Sequence, residues 1–213
     1  MVTGFFRYIA GFFRKKISTG EQKMKELEER IRKDGKVKPG GILKVDSFLN
    51  HQIDPQLLYA MAVEFRRLYA DVPVNKILTV EASGIAIAAM TGYVFSCPLV
   101  FAKKSKTRNL SDAVWSADVV SFTHGGSNQI LVSKEYLGEG DRVLIVDDFL
   151  ATGAALAGLK DICEQAGATV AGAGIAIEKV FQGGGNRLRA EGMRVESLAR
   201  IHSMSDNGLE FEN

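Results

Sequence analysis

The chemistry of this 213-residue chain gathers in thirteen residues, Val143-Leu-Ile-Val-Asp-Asp-Phe-Leu-Ala-Thr-Gly-Ala-Ala155. Four apolar residues, Val143 to Val146, read as a buried strand. Asp147 and Asp148 stand at its carboxyl end, and the small residues Ala151 to Ala155 lead into a helical pattern. In open α/β sheets ligands bind beyond the carboxyl ends of the strands. A loop of small residues there aims backbone N–H groups at an anion, and the following helix adds its positive end. Like charges repel, so the two acids suit hydroxyls or a metal beside that anion. A phosphate next to a diol describes a ribose 5-phosphate.

Two further strand ends carry unusual residues. Glu81-Ala-Ser-Gly84 is a tight small-residue turn before a helix and is a second candidate anion loop in the same sheet. Lys179 and Phe181 follow the run 170–177. There a lysine can hydrogen-bond a ligand carbonyl and a phenylalanine can stack on a planar ring. The basic stretch Lys103, Lys104, Lys106 and Arg108 reads as a solvated loop able to close over a polyphosphate. The chain lacks the Gly-x-x-x-x-Gly-Lys of a nucleotide-binding P-loop. None of His51, His124 and His202 is assigned as a base or metal ligand, and no protein metal site is expected.

The elements that must position these residues alternate between strand and helix. A helix is expected over Met24–Lys33, a turn at Lys38–Gly41 and a short apolar segment at Ile42–Val45. Asp54-Pro55 caps and opens a helix running to about Ala70. Strands are expected at 76–80, 98–102, 143–146, 170–177 and 194–201, with helices at 85–93 and 153–166. Residues 117–122 and 129–133 read as a hairpin about His124–Ser127, and Gly183–Gly185 as a flexible break. The alternation predicts an α/β fold with a mainly parallel central sheet flanked by helices.

Taken together, these residues resemble the type I phosphoribosyltransferases, whose phosphoribosyl-diphosphate motif is an apolar strand, two acids and a Thr-Gly phosphate loop. Within that family the segments 43–55, 149–151, 177–182 and 194–201 are similar to the bacterial branch that acts on xanthine. The resemblance runs from about Met24 to the end of the chain. It implies a type I phosphoribosyltransferase fold with a small hood over the base site. The implied reaction belongs to purine salvage: 5-phosphoribosyl passes from phosphoribosyl diphosphate to xanthine, giving xanthosine monophosphate and pyrophosphate. It implies Asp147 and Asp148 on the ribose hydroxyls, and Ala151, Thr152, Gly153, Ala154 and Ala155 around the 5-phosphate. Leu43, Asn50, Lys179 and Phe181 would meet the purine. Glu81, Ala82, Ser83 and Gly84 would form the pyrophosphate loop, with Lys103 and Lys104 on a mobile loop over the reaction. Mg²⁺ would arrive mainly bound to phosphoribosyl diphosphate, and the implied assembly is a homodimer in the cytoplasm. Two positions depart from the branch's pattern: Ala-Thr-Gly-Ala-Ala replaces Ala-Asn-Gly-Gln-Ala, and Ala82-Ser-Gly84 replaces Ser-Ser-Gly.

Composition bounds the alternatives. Apolar content of 46% and a net charge of +2 fit one globular domain and give no global signal for nucleic acid. No apolar run reaches the ~18 residues of a membrane span. Cys97 and Cys163 form neither a metal pattern nor a disulfide framework. Residues 1–23 differ from the rest: Phe5, Phe6, Ile9, Phe12 and Phe13 at helical spacing sit among a net charge of +4. The expectation is an N-terminal basic and aromatic extension, 1–23, outside a phosphoribosyltransferase domain, 24–213. Membrane contact by the extension is the less favoured reading. Two functional alternatives remain: transfer to guanine or hypoxanthine, and a non-catalytic regulator that binds phosphoribosyl diphosphate. The second needs a DNA-binding domain, for which 1–23 is too short.

Overall fold

Val143, Leu144, Ile145 and Val146 are wholly buried, as a continuous apolar run at the centre of a parallel sheet must be. Their side chains alternate between two cores. Leu144 and Val146 face one, Val143 and Ile145 the other, following the two-residue period of a strand. The computed structural model describes residues 20–105, 113–121, 126–205 and 208–212. The expected extension, apart from Gly20 to Lys23, lies outside them, as do Lys106, Arg108 and His124.

In chain order the elements are α1 (Gly20–Asp34), β1 (Lys36–Lys38), β2 (Ile42–Lys44), α2 (Pro55–Leu68), β3 (Lys76–Val80), α3 (Gly84–Phe95), β4 (Leu99–Ala102), β5 (Val114–Ser121), β6 (Gly126–Ser133), β7 (Arg142–Leu150), α4 (Ala154–Gln165), β8 (Thr169–Lys179), α5 (Gly184–Ala190), β9 (Val195–Ser205) and β10 (Gly208–Phe211). The main sheet has the order β10-β9-β8-β7-β3-β4. It is parallel except for β10, which pairs antiparallel with β9. The hairpin β5–β6 joins this sheet through Lys103 and Leu131, whose backbones exchange two hydrogen bonds of 2.8 Å.

Both cores are built from helical stripes laid on the sheet. Leu27 and Ile31 of α1, Leu58, Met61 and Phe65 of α2, and Ile87 of α3 fill one. Leu156, Leu159 and Ile162 of α4 fill the other with Ile130 and Val132 of the hairpin. Asp54 caps α2 as its sequence predicts: Oδ1 accepts from the N–H groups of Gln56 (3.1 Å) and Leu57 (3.2 Å), with Pro55 in the first turn. Cys163 is buried and free, and burial pushes its thiol up to about 12.

Several elements differ from the sequence reading. The hairpin strands are longer than expected, and the central turn residues 122–125 lie outside the described residues. Ile42–Lys44 pairs with an unexpected partner, β1, and a helical turn, Asp46–Asn50, follows. The last strand runs on to Ser205 and folds back as β10. Gly183–Gly185 is not a flexible break. Gly183 adopts φ +76° and Gly184 and Gly185 open α5, because backbone and a buried carboxylate press against both α-carbons.

The topology fixes where ligands enter. β3 and β7 are neighbours, but β3 continues through α3 to β4 and β7 continues through α4 to β8, on opposite sides. Diverging connections open a crevice between the carboxyl ends of β3 and β7.

Candidate active site

The loop after β7 turns at Gly153, whose φ of +82° only glycine adopts without strain, and α4 begins at Ala154. Asp147 and residues Phe149 to Leu156 line a cleft of about 130 Å³. The carbonyls of the turn are occupied on its outer side. The Gly184 N–H donates to Ala151 O (3.1 Å), and Arg187 Nη2 donates to Thr152 O (3.1 Å). The opening N–H groups of α4 have no partners within their helix, so cleft and helix end together suit an anion.

Asp147 and Asp148 are both buried at the crest of β7, at 5% and 6% exposure. The Asp148 N–H donates to Asp147 Oδ1 at 3.1 Å. Burial, and then the neighbouring Asp148 carboxylate, push the Asp147 carboxyl well above the ordinary range, while the Lys104 charge acts weakly the other way. A group so placed accepts hydrogen bonds from hydroxyls and relieves its own desolvation by doing so.

Across the crevice, Glu81 to Gly84 form the turn from β3 into α3. The Glu81–Ala82 peptide is cis. Glu81 is tied at both ends: its N–H donates to Ala102 O (3.0 Å) and its Oε1 accepts from the Lys104 N–H (2.7 Å). A methyl on Gly84 would stand 2.2 Å from Thr79 Oγ1 and 2.7 Å from Asp147 Oδ1. The two loops therefore meet at the acid pair. Lys103, half-buried, and Lys104, exposed, sit on the rim.

The third strand end lies beside this crevice. Lys179 Nζ donates to Gly41 O in the β1–β2 turn (2.9 Å) and stands 5.5 Å from the centre of the Phe149 ring. Burial depresses its ammonium below the usual lysine value. Phe181 is 47% exposed, so it is not a core residue. Leu43 is buried in the core, and Asn50 is exposed at the end of the Asp46–Asn50 turn. The structure thus ties Lys179 to the β1–β2 turn through a backbone carbonyl rather than through the Leu43 side chain.

Some contributors were missed in the sequence. Phe149 was read only within the segment 149–151 that carries the family resemblance, yet it presents a half-buried ring beside Lys179. Glu178 is buried and accepts from Arg189 Nη1 (2.8 Å), Arg189 Nη2 (2.7 Å) and Ser197 Oγ (2.6 Å). An acid directly before Lys179 in a strand end was the available signal for Glu178. No local pattern pointed to Arg187 or Arg189.

Two small-residue turns flank a buried acid pair, and a lysine and aromatic rings lie to one side. This arrangement has the chemistry to suit a phosphorylated sugar and a planar base. The phosphoribosyl transferase domain model matches residues 45–184, which span β7 and both turns. The chain belongs to the phosphoribosyltransferase family. This phosphoribosyltransferase is an enzyme with the type I fold. It is 56% identical over 190 residues to a xanthine phosphoribosyltransferase of Finegoldia magna, covering 89% of this chain and all of that one. It is 53% identical to a xanthine phosphoribosyltransferase of Limosilactobacillus reuteri, covering 88% and 98%. Among solved structures it resembles the adenine phosphoribosyltransferase of Giardia lamblia complexed with 9-deazaadenine. That match has a TM-score of 0.68 and 25% identity, and covers 80% of this chain and 92% of that one. It also shares the fold of the Trypanosoma brucei adenine phosphoribosyltransferase, with a TM-score of 0.71, 16% identity, and coverage of 85% and 82%.

Proposed function

We propose that this phosphoribosyltransferase carries 5-phosphoribosyl from phosphoribosyl diphosphate to xanthine, releasing pyrophosphate and forming xanthosine 5′-monophosphate, a step of purine salvage. The observation that carries the reading is the meeting of two anion turns, 81–84 and 151–155, at the buried Asp147–Asp148 pair. The choice of xanthine rests on the relatives that bear that name.

Residues 151–155 hold the 5-phosphate by backbone N–H groups at the start of α4. Asp147 and Asp148 accept from the ribose hydroxyls and stabilise the cationic character that grows on the sugar as its C1–oxygen bond breaks. The 81–84 turn receives the departing pyrophosphate, with Lys103 and Lys104 on the rim supplying positive charge. Lys179 leaves Gly41 O and donates to an oxygen of the purine, whose face lies against Phe149 or Phe181. Leu43 supports the hood from beneath, and Asn50 faces the base from its rim. No covalent intermediate with the protein is required, which fits the absence of a nucleophile motif.

Mg²⁺ fits this site as a companion of the substrate. Among the described residues no three His, Cys, Asp or Glu side chains gather to hold a metal, but the acid pair and a diphosphate together offer oxygen ligands of the kind Mg²⁺ prefers. When bound it would neutralise charge on the leaving group.

The enzyme acts as a homodimer in the cytoplasm, with residues 1–23 outside the catalytic domain, 24–213. Exposed Phe101 on the β4 edge and exposed Tyr93 on α3 are apolar surface of the kind a dimer would cover. No helix among the described residues is long and apolar enough to cross a membrane.

The test is to mix purified protein with Mg²⁺, phosphoribosyl diphosphate and xanthine and follow nucleotide by chromatography. Xanthosine monophosphate and pyrophosphate in equal amounts are expected. Binding of phosphoribosyl diphosphate without product, joined to a shift of DNA in a gel, would move the protein to the regulator class.

A further inference from the structure

The outer side of the phosphate loop is held by an element that the transfer reaction does not itself call for. Two successive carbonyls, Ala151 O and Thr152 O, are fixed from one direction by the Gly184 N–H and by Arg187 Nη2, each at 3.1 Å. In a trans peptide the C=O and the next N–H point in opposite directions. Pinning these two oxygens toward α5 therefore turns the N–H groups of Thr152 and Gly153 away from it. Neither N–H makes a backbone hydrogen bond among the described residues. The contact is as close as chain chemistry permits. A Cβ on Gly184 would lie 2.3 Å from Ala151 O, 2.4 Å from Thr152 C and 2.5 Å from Gly153 N.

The far end of α5 is anchored just as firmly. Arg189 grips the buried Glu178 carboxylate with two nitrogens and donates through Nε to Val195 O (3.1 Å). Gly185 lies so near that a Cβ there would stand 2.0 Å from Glu178 Oε1. Leu188 is buried in the core on the α4 side. One short helix thus joins the end of β8, where Lys179 stands, to the loop after β7.

We infer that α5 is a brace that presets the phosphate loop, and that Arg187 is a positioning residue for the phosphorylated sugar. The inference rests on reading residues 151–155 as the 5-phosphate loop. Arg187 acts through the Thr152 carbonyl. Its side chain is 55% exposed and its other neighbour is Glu191 at 3.7 Å, so truncating it leaves no buried group without a partner.

The test uses the full chain with Arg187→Ala and Arg187→Lys, xanthosine monophosphate titrated by calorimetry, and KM measured for each substrate. Arg187→Ala is expected to weaken xanthosine monophosphate about tenfold, 1.4 kcal/mol by the standard conversion, and to raise KM for phosphoribosyl diphosphate similarly. KM for xanthine and the thermal midpoint stay at the wild-type values, and Arg187→Lys, which can still donate to Thr152 O, recovers part of the loss. Unchanged affinity for xanthosine monophosphate in Arg187→Ala would overturn the brace, as would an equal rise in both KM values. A wild-type protein that binds no xanthosine monophosphate would instead overturn the reading of the loop, and the brace with it.

Discussion

The Asp147 carboxyl sits in a buried place beside a second carboxyl, and that setting predicts opposite effects on stability and on turnover. Its value in the folded protein lies well above the ordinary 3.8, first because of burial and then because of Asp148. A raised carboxyl favours the folded state below the ordinary value and loses that advantage as pH rises through the folded value, so at pH 7 its ionisation weighs against folding. Asp147→Asn is expected to keep or raise the thermal midpoint at pH 7. Turnover should fall by about 10²–10³, the scale of losing one preorganised electrostatic contact to the transition state. A calorimetric scan and an initial-rate assay on one preparation check both; loss of folding with turnover intact would mean the pair is structural. Lys179→Met should raise KM for the purine about tenfold through the lost hydrogen bond, leaving KM for phosphoribosyl diphosphate near its starting value. An acid pair after a strand is a common helix-capping feature, and only the apolar run before it and Ala-Thr-Gly after it marked these two acids out in the sequence. The place of Phe149 was not legible, because an aromatic just past an apolar run looks the same whether it packs on the core alone or also beside a lysine.

At the scale of elements, the Glu178–Arg189 pair ties α5, which contacts the 151–152 carbonyls, to the end of β8. Burial raises the carboxyl, but hydrogen bonds from Arg189 and Ser197 outweigh it and hold Glu178 below its ordinary 4.5. A depressed carboxyl contributes stability that is complete above that value and is lost as pH falls through the folded value. Glu178→Gln is expected to cost about 3 kcal/mol at pH 7, the low end for breaking a buried ion pair, and to flatten the acid limb of the stability curve. Denaturant titrations at several pH values read both effects; an acid limb as steep as the wild type's would remove Glu178 from the account. The strands that hold the site were legible as apolar runs, and α2 was legible from Asp54-Pro55. α5 was not, since two glycines at its start each cost roughly 1 kcal/mol in helix propensity. The helix forms there because Ala151 and Glu178 leave room for nothing larger. β1 and β10 were hidden for a related reason: Lys36-Val-Lys38 and Gly208-Leu-Glu-Phe211 are short and polar, and only their partners in space make them strands.

For the molecule as a whole, the sheet order places the turns 81–84 and 151–155 at one crevice, and composition alone could not have located it. The two loops were each legible, but their adjacency depends on β3 pairing with β7 across about 65 residues of chain. A chain beginning at Met24 should fold and turn over at the full-length rate, and inactivity of that shorter protein would place residues 1–23 inside the working unit. If the proposed dimer forms through the β4 edge, Phe101→Glu should yield a monomer in a sedimentation run, whereas unchanged mass would remove that edge from the interface. The most direct measurement is kcat/KM for xanthine, guanine, hypoxanthine and adenine, each offered alone with Mg²⁺ and saturating phosphoribosyl diphosphate. The account predicts that xanthine leads every other base by at least tenfold, roughly 1.4 kcal/mol of transition-state binding. Guanine or hypoxanthine matching xanthine would contradict it.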